Sequence, residues 1–352
     1  MQPFVSVIIP CRNEAVSIRR CLESVLASNY PPDRMELLVA DGCSQDETRT
    51  RLSESAAQDS RIRVLENSAQ ITPIGLNLAI EEARGEFILR IDAHSIISPD
   101  YIPILMSFLE THPEAWGAGG RMHTEPETPG LFSLAIPVVL SHRFGVGNSQ
   151  FRTAGNGAPT AVDTVFNCCW RRDVFRRIGL FHEKLARSQD MEMSTRIAAA
   201  GGMLWRVPSA ETTYFARVGF GAYLRHNWMN GVWSLVPALY AGRIPVRWRH
   251  LVPLAFVFSI LCGLLLATTV PKLWWAPLLP LAPYAAVNLA ASITAAWTRG
   301  NWRLAVLLPA TFAGLHFSYG AGSLWGAMRV LSHRLLATEA SRTTEPAPST
   351  TL

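Results

Sequence analysis

The chain has 352 residues, an apolar fraction of 49% and a formal net charge of +5. That length exceeds a small stapled module, and six cysteines without metal-ligand spacing or framework density exclude a cysteine-held scaffold. The excess positive charge forms no stripe of basic and aromatic residues, which excludes nucleic acid as the expected partner. Arginines gather instead beside apolar runs (Arg243, Arg247 and Arg249 with His250, then Arg299 and Arg303), a pattern suited to an anionic membrane surface.

The first ten residues have no basic n-region, and their apolar run is only as long as a strand, so no signal peptide is read there and residues 1 to about 240 are expected to stay in the cytoplasm. Val5 to Ile9 reads as a buried strand that stops at Pro10. Ile18, Cys21, Leu22, Val25 and Leu26 keep helical spacing and predict an amphipathic helix over 14–27. Strands are expected at 37–40, ending at Asp41-Gly42, at 62–65, and at 87–91, ending at Asp92. Helices are expected over 73–84 and from Pro99 onward, with Ser98 before a proline at the first helical position. This alternation through residue 112 predicts a parallel, doubly wound α/β sheet.

The order changes after residue 112. Gly117–Met122 reads as a further strand. Residues 131–140, "LFSLAIPVVL", are too short to span a bilayer and are either core or an interfacial helix, the interfacial reading being preferred. Residues 145–160 are rich in Gly, Asn, Ser and Thr and read as a mobile loop. In "SQDMEMSTRIAAAGG", Met193, Ile197 and Ala200 share one helical face, and Asp190 lies near the start of that helix, where the dipole favours a carboxylate. On local signals alone Asp190 is an ordinary first-turn residue.

Residues 251–271, 273–298 and 304–328 carry no Asp, Glu, Lys or Arg. Each exceeds the roughly 18–20 residues that a helix needs to cross a hydrocarbon core. Three transmembrane segments within 241–330 are therefore expected, followed by a disordered tail over 331–352, rich in Thr, Ser, Pro and Glu. Three spans put the C-terminus outside, against Arg329, Arg334 and Arg342. Pro277, Pro280 and Pro283 accordingly make the middle run a candidate for a re-entrant or split segment.

In a doubly wound sheet, ligands bind beyond the carboxyl ends of the strands. Here those ends carry Pro10 to Glu14, Asp41 and Asp92. No Gly-rich dinucleotide fingerprint and no P-loop is present. Carboxylates at such positions suit two tasks: accepting hydrogen bonds from a base or ribose, and holding a divalent cation against phosphates.

The ordered set "VSVIIPCRNE", "VADGCSQDET", "NLAIEEARGEFILRIDAHS" and "SQDMEMSTRIAAAGG" over residues 4–202 resembles family 2 glycosyltransferases. "ITPIGLNLAIEEARGEFILRIDAHS", "FGVGNSQFR" and the trailing apolar segments extend the resemblance to ExoA-type enzymes of succinoglycan and related exopolysaccharide assembly, up to about residue 330. The resemblance implies an α/β fold of the GT-A type, a doubly wound, mostly parallel sheet over residues 1–240, followed by C-terminal transmembrane helices. It implies a membrane-bound inverting hexosyltransferase that moves a sugar from a nucleotide-sugar donor, expected to be a UDP-sugar, to a polyprenyl-diphosphate-linked saccharide acceptor. Pro10, Asn13 and Glu14 would border the uracil and ribose, and Asp41 would accept from the ring NH. Asp92 and His94 would hold a divalent cation, Mg²⁺ or Mn²⁺, against the diphosphate, and Asp190 would be the catalytic base.

Three departures from the family pattern stand out. His94 replaces the usual last aspartate of the metal motif; it either ligates directly, acts through water, contacts phosphate as a cation, or merely caps the turn. Gln189 precedes Asp190 where relatives often have Glu. In "LRHNWMNGVW", Val232 stands where an arginine is expected, and Trp228 and Trp233 either stack on sugar or anchor at the interface. Two rival readings remain: a transferase acting on a bare polyprenyl phosphate, and a non-catalytic membrane scaffold in a polysaccharide assembly complex. The inner (cytoplasmic) membrane is the expected location.

Overall fold

The structure is a computed structural model that describes residues 2–153, 157–216, 219–241 and 247–343, with backbone only from 334 on. Arg243, the side chains of Arg334 and Arg342, residues 154–156 of the expected loop and residues 344–352 of the expected tail lie outside the described residues, while 331–343, expected to be disordered, continue the helix Arg303–Thr343. The chain divides into two compact units: Met1–Tyr223 with Asn288–Phe312, and Leu224–Val287 with Ala313–Leu352.

Among the described residues the first unit has one nine-stranded sheet: β1 (Val5–Cys11), β2 (Met35–Asp41), β3 (Ile62–Glu66), β4 (Phe87–Arg90), β5 (Ser95–Ile97), β6 (Ala115–Pro126), β7 (Thr160–Val162), β8 (Cys169–Arg171) and β9 (Met203–Ala216). The order is β3-β2-β1-β4-β8-β6-β9-β5, with β7 also on β9. β3, β2, β1, β4, β6 and β9 run in one direction, and β5, β7 and β8 run against them. The expected mostly parallel α/β sheet is thus present, with an antiparallel strand let into its middle.

The sequence explains the parallel half. β1 and β2 are apolar at nearly every position because both faces of the sheet are covered. Val7, Ile9, Leu37, Val39 and Leu89 point to one side with Ile18, Leu22, Val25 and Tyr101. Ile8, Leu38 and Ile88 point to the other side with Leu76, Ile80, Phe175, Met193 and Ile197. Those helical residues come from Ile18–Leu26, Thr72–Glu82, Tyr101–Thr111, Arg172–Ile178 and Gln189–Ala199. The first of these is shorter than expected, because residues 14–17 form a turn in which Ser17 donates to the Glu14 carboxylate.

β6 runs well beyond the expected strand and carries register shifts against β9 near Gly117 and Gly119–Arg121. Gly120 permits the closest approach there: a Cβ at this position would run into the Ala210 carbonyl and the Tyr101 ring. The 131–140 segment departs from the interfacial reading. Its helix, Ala135–Ser141, buries Ala135, Ile136, Val138 and Val139 in the first unit, while Leu131 and Leu134 stay exposed. Between 143 and 153 the expected loop contains two short helical turns, Arg143–Val146 and Gln150–Thr153.

Among the described residues, three helical segments are long and apolar enough to cross a membrane: Trp248–Thr269, Pro271–Thr298 and Arg303–His333. The middle one begins with a 3₁₀ turn at Pro271–Leu273 and becomes a continuous helix only at Leu278, which retains Pro283 inside it. Within the second unit, Gly322 and Gly326 lie against the carbonyls of Trp228 and Val232, and Gly231 against that of Tyr319. Small residues let these backbones approach closely, the usual means of packing helices in lipid. Trp228 remains 37% exposed.

Candidate active site at the strand ends

The carboxyl ends of β1 and β2 are tied into one platform. Pro10 pairs with Ala40 and Cys11 with Asp41 across the two strands. The chain then turns at Asn13, whose φ of 55° is left-handed, a conformation Asn tolerates better than most residues. Asn13 accepts the Gln45 N–H through Oδ1 (2.8 Å) and donates its own N–H to Ser44 Oγ (2.9 Å). The Glu14 N–H donates to Thr48 Oγ1 (2.8 Å). The loop after β1 therefore cannot move without the loop after β2.

Asp41 lies beneath that platform with its side chain only 4% exposed. It accepts from the Ser44 hydroxyl (2.5 Å), the Ser44 N–H (3.2 and 3.3 Å) and Arg49 Nε (2.9 Å). Its hydrogen bonds raise the pKa of Arg49 further above the ordinary guanidinium value. The carboxylate thus organises the loop, and any base it receives must share oxygens already engaged.

Past β4 the side chains of Arg90 and Asp92 are joined. Arg90 Nε and Nη2 both bond Asp92 Oδ1, at 3.1 and 2.9 Å, with the two side chains 13% and 20% exposed. Burial opposes ionisation of Asp92, but Arg90 and then His94 outweigh it and hold the carboxyl below its usual range. Both guanidinium bonds fall on Oδ1, so Oδ2 lies outside the ion pair. His94 reaches across to β1: its Nδ1 is 3.3 Å from Glu14 Oε1, and its ring meets Tyr214 edge-on at 5.0 Å.

This donor set bears on the expected cation. Among the described residues, no three His, Cys, Asp or Glu side chains gather as a ready-made cage. Mg²⁺ and Mn²⁺ at phosphate-transfer sites need less, since one or two side chains plus substrate phosphates complete the shell. Asp92 Oδ2 and the neighbouring imidazole fit that sparser mode.

Two residues that position this site were not singled out by sequence reasoning. Arg90 is one. Asn167 is the other: it is 4% exposed, with a left-handed φ of 45°. Its Oδ1 accepts the Asp92 N–H (3.2 Å), its Nδ2 donates to Thr212 Oγ1 (3.0 Å), and its carbonyl accepts from Tyr101 Oη (2.7 Å). One side chain thus fastens the end of β4 to β9. The available signal was a lone amide within the apolar run "VFNCCW".

Asp190 occupies the first turn of Gln189–Ala199, exposed, its Oδ1 accepting the Met191 N–H (2.9 Å). Its charge acts on Arg90, raising that guanidinium together with Asp92 against the opposing effect of burial. Gln189 beside it is buried, and its Oε1 has no hydrogen-bond partner among the described residues. The structure therefore brings Pro10, Asn13, Glu14 and Asp41 to one platform, joins it to His94 and Asp92, and sets Asp190 within electrostatic reach of Arg90.

Residues 6–179 match the model of Glycosyl transferase family 2. The succinoglycan biosynthesis protein ExoA of Rhizobium meliloti is 26% identical over 84% of this chain and 93% of its own length. A Methanococcus voltae enzyme, dolichyl N-acetyl-alpha-D-glucosaminyl phosphate 3-beta-D-2,3-diacetamido-2,3-dideoxy-beta-D-glucuronosyltransferase, is 25% identical over 73% of this chain and 80% of its own. Among solved structures, the mannosyltransferase PcManGT of Pyrobaculum calidifontis, in complex with GDP-Man and Mn²⁺, superposes with a TM-score of 0.58 at 18% identity, covering 92% of this chain and 88% of that one. This last likeness establishes the GT-A-like fold.

Proposed function

The chain belongs to glycosyl transferase family 2, an inverting family, and from that premise we propose that it moves a hexosyl residue from a nucleotide sugar to a lipid-linked oligosaccharide at the cytoplasmic face of the inner membrane, in exopolysaccharide assembly. A UDP-sugar is the first donor to test. The observation that carries this reading is the gathering of three acidic residues just past the strand ends, Glu14 on His94, Asp41 under the platform and Asp92 on Arg90, with a fourth, Asp190 in the first turn of Gln189–Ala199, acting on Arg90.

The roles follow from the chemistry. Pro10, Asn13, Glu14 and Asp41 receive the base and ribose on the platform. Asp190 takes the proton from the acceptor hydroxyl as that oxygen attacks the anomeric carbon, and the bond from that carbon to the diphosphate breaks on the opposite side. A divalent cation, Mg²⁺ or Mn²⁺, when held by Asp92 with His94, would supply positive charge to the departing diphosphate. Orientation contributes further, because both substrates are fixed before reaction. Inversion results, since no covalent nucleophile intervenes.

The three apolar helices support a membrane location, and a tethered enzyme meets lipid-linked acceptors on a surface. The printed name of the Methanococcus voltae relative, which describes a sugar-bearing dolichyl phosphate acceptor, favours an acceptor that already carries sugar over a bare polyprenyl phosphate. Purified full-length protein in lipid, supplied with a panel of nucleotide sugars and a membrane extract containing lipid-linked saccharides, tests the reading. Extension of the lipid-linked saccharide by one sugar is the expected product. Absence of turnover with every donor and acceptor fraction would favour the scaffold reading.

A further inference from the structure

Arg152 lies on the helical turn Gln150–Thr153 of the first unit. Its Nη1 is shut off from solvent and has no hydrogen-bond partner among the described residues. A guanidinium is an always-charged fork of N–H donors, and a buried donor left without an acceptor is costly. The rings of Phe151, 5.4 Å away, and Tyr214, 5.8 Å away, face the cation without giving Nη1 a hydrogen bond.

The surroundings locate this cation within the proposed site. Tyr214 meets His94 edge-on at 5.0 Å and Phe166 at 5.7 Å, and Phe166 stacks on Phe151 at 6.3 Å. Phe166 immediately precedes Asn167, which holds Asp92. Burial pushes the Arg152 guanidinium down, against the pull of Tyr214 and Asp190. Arg152 therefore shares one neighbour with His94 and feels the charge of Asp190. A group suited to this position is anionic, rich in acceptors and bound during reaction, and phosphoryl oxygens meet all three conditions.

We propose that Arg152 is a diphosphate-binding residue that engages the donor nucleotide and stabilises it as leaving group. The proposal rests on the transferase reading above, and it adds a protein cation to the charge that Asp92 and His94 would recruit. Without the donor, Nη1 has no hydrogen-bond partner among the described residues; with the donor bound, it donates a charge-assisted hydrogen bond to a phosphoryl oxygen. Binding energy gained at the diphosphate thus depends on a residue far from the metal motif in sequence.

The test uses full-length protein in lipid nanodiscs with Mn²⁺ present throughout. Inorganic diphosphate and uridine are titrated separately by calorimetry against wild type, Arg152→Gln and Arg152→Lys. Arg152→Gln should weaken diphosphate tenfold or more and leave uridine within twofold. Arg152→Lys should fall between, because it keeps the charge and loses the fork. Thermal unfolding of Arg152→Gln should occur no earlier than wild type, since a solvent-shielded N–H without a partner among the described residues has been removed. Diphosphate affinity within twofold of wild type in Arg152→Gln would overturn the proposal, as would equal weakening of both ligands accompanied by early unfolding. Failure of millimolar diphosphate to bind wild type overturns it too. A loss confined to binding of polyprenyl-phosphate vesicles would reassign Arg152 to the acceptor and sink the donor role. The transferase reading is judged separately by wild-type turnover of nucleotide sugars: turnover with Arg152-independent diphosphate binding spares the reading and removes this proposal, and the converse result does the opposite.

Discussion

Replacing Asn167 with alanine isolates the fastening of Asp92. The substitution removes the acceptor of the Asp92 N–H (3.2 Å) and the donor to Thr212 Oγ1 (3.0 Å) at a site 4% exposed. Leaving a buried N–H without a partner costs about 1–3 kcal/mol. The Thr212 loss is smaller, roughly 0.5–1 kcal/mol, because that hydroxyl still donates to the Ile96 carbonyl (3.1 Å). Alanine must also hold the φ of 45°, at about 1 kcal/mol more than asparagine. The total is about 2.5–5 kcal/mol, and since one kcal/mol shifts Tm by roughly 2–4 °C in a domain of this size, the midpoint should fall by about 5–20 °C. Thermal unfolding of the full chain in nanodiscs, followed by tryptophan fluorescence, reads this directly. Asn167→Gly removes the same two bonds and relieves the backbone, so it should be the less damaging by about 1 kcal/mol. Turnover should fall further than stability implies, because a drift of Asp92 by about 1 Å can cost ~10²-fold. A midpoint within 3 °C of wild type for Asn167→Ala would refute the reasoning.

Asp190→Asn keeps the shape of the first turn and removes the proposed proton acceptor. Donor binding should be retained while turnover falls by ~10² or more, and single-turnover kinetics with unchanged rates would take Asp190 out of the mechanism. His94→Asp should shift cation preference from Mn²⁺ towards Mg²⁺, because an all-oxygen site suits the harder ion; an unchanged Mn²⁺/Mg²⁺ activity ratio at fixed donor concentration would show that His94 serves Glu14 instead. Arg90→Gln probes the ion pair by pH. Asp92 is held below its usual range in the fold, so the pair's contribution is complete above the ordinary carboxylate range and is lost as pH falls through the depressed value. The variant should therefore unfold earlier than wild type near neutral pH, with the gap closing as pH falls below the ordinary carboxylate range; a gap independent of pH would mean that Arg90 acts through packing alone.

The parallel half of the fold was legible because each of its strands repeats an apolar run followed by a turn residue, and the intervening helices at 18–26, 72–82 and 101–111 bury a clear stripe. The helix Thr48–Gln58 was not, since only Thr48 and Leu52 of it are buried and "TRTRLSESAAQ" has no apolar period. β8 is three residues long and pairs with β4 and β6 across large sequence separations, so neither local pattern nor length announces it. The helix Ala135–Ser141 was ambiguous for a related reason: an apolar stretch looks the same whether sheet or lipid covers it. At the site, the acids at strand ends could be read from position alone. The bonds that Arg90 and Asn167 make to Asp92, and the reach of His94 to Glu14, are tertiary, and residue type does not specify them.

Arg90 is the last residue of β4 and Asp92 stands two residues on, just past the strand, where the two side chains meet. The consequence of their pairing is electrostatic. A solitary carboxylate aimed at a nucleoside diphosphate would repel it until a cation intervened. Asp92 already carries a guanidinium on Oδ1, so the pair presents little net charge, and Oδ2 is left for a cation arriving with the phosphates. In the proposed site His94, in place of a second carboxylate, adds no negative charge, and it ties the end of β4 to the loop after β1 through Glu14. On the proposed reading, the departure from the usual acidic motif lowers the negative charge that a diphosphate would meet at the strand ends, while one carboxylate oxygen and one imidazole would stand beside it.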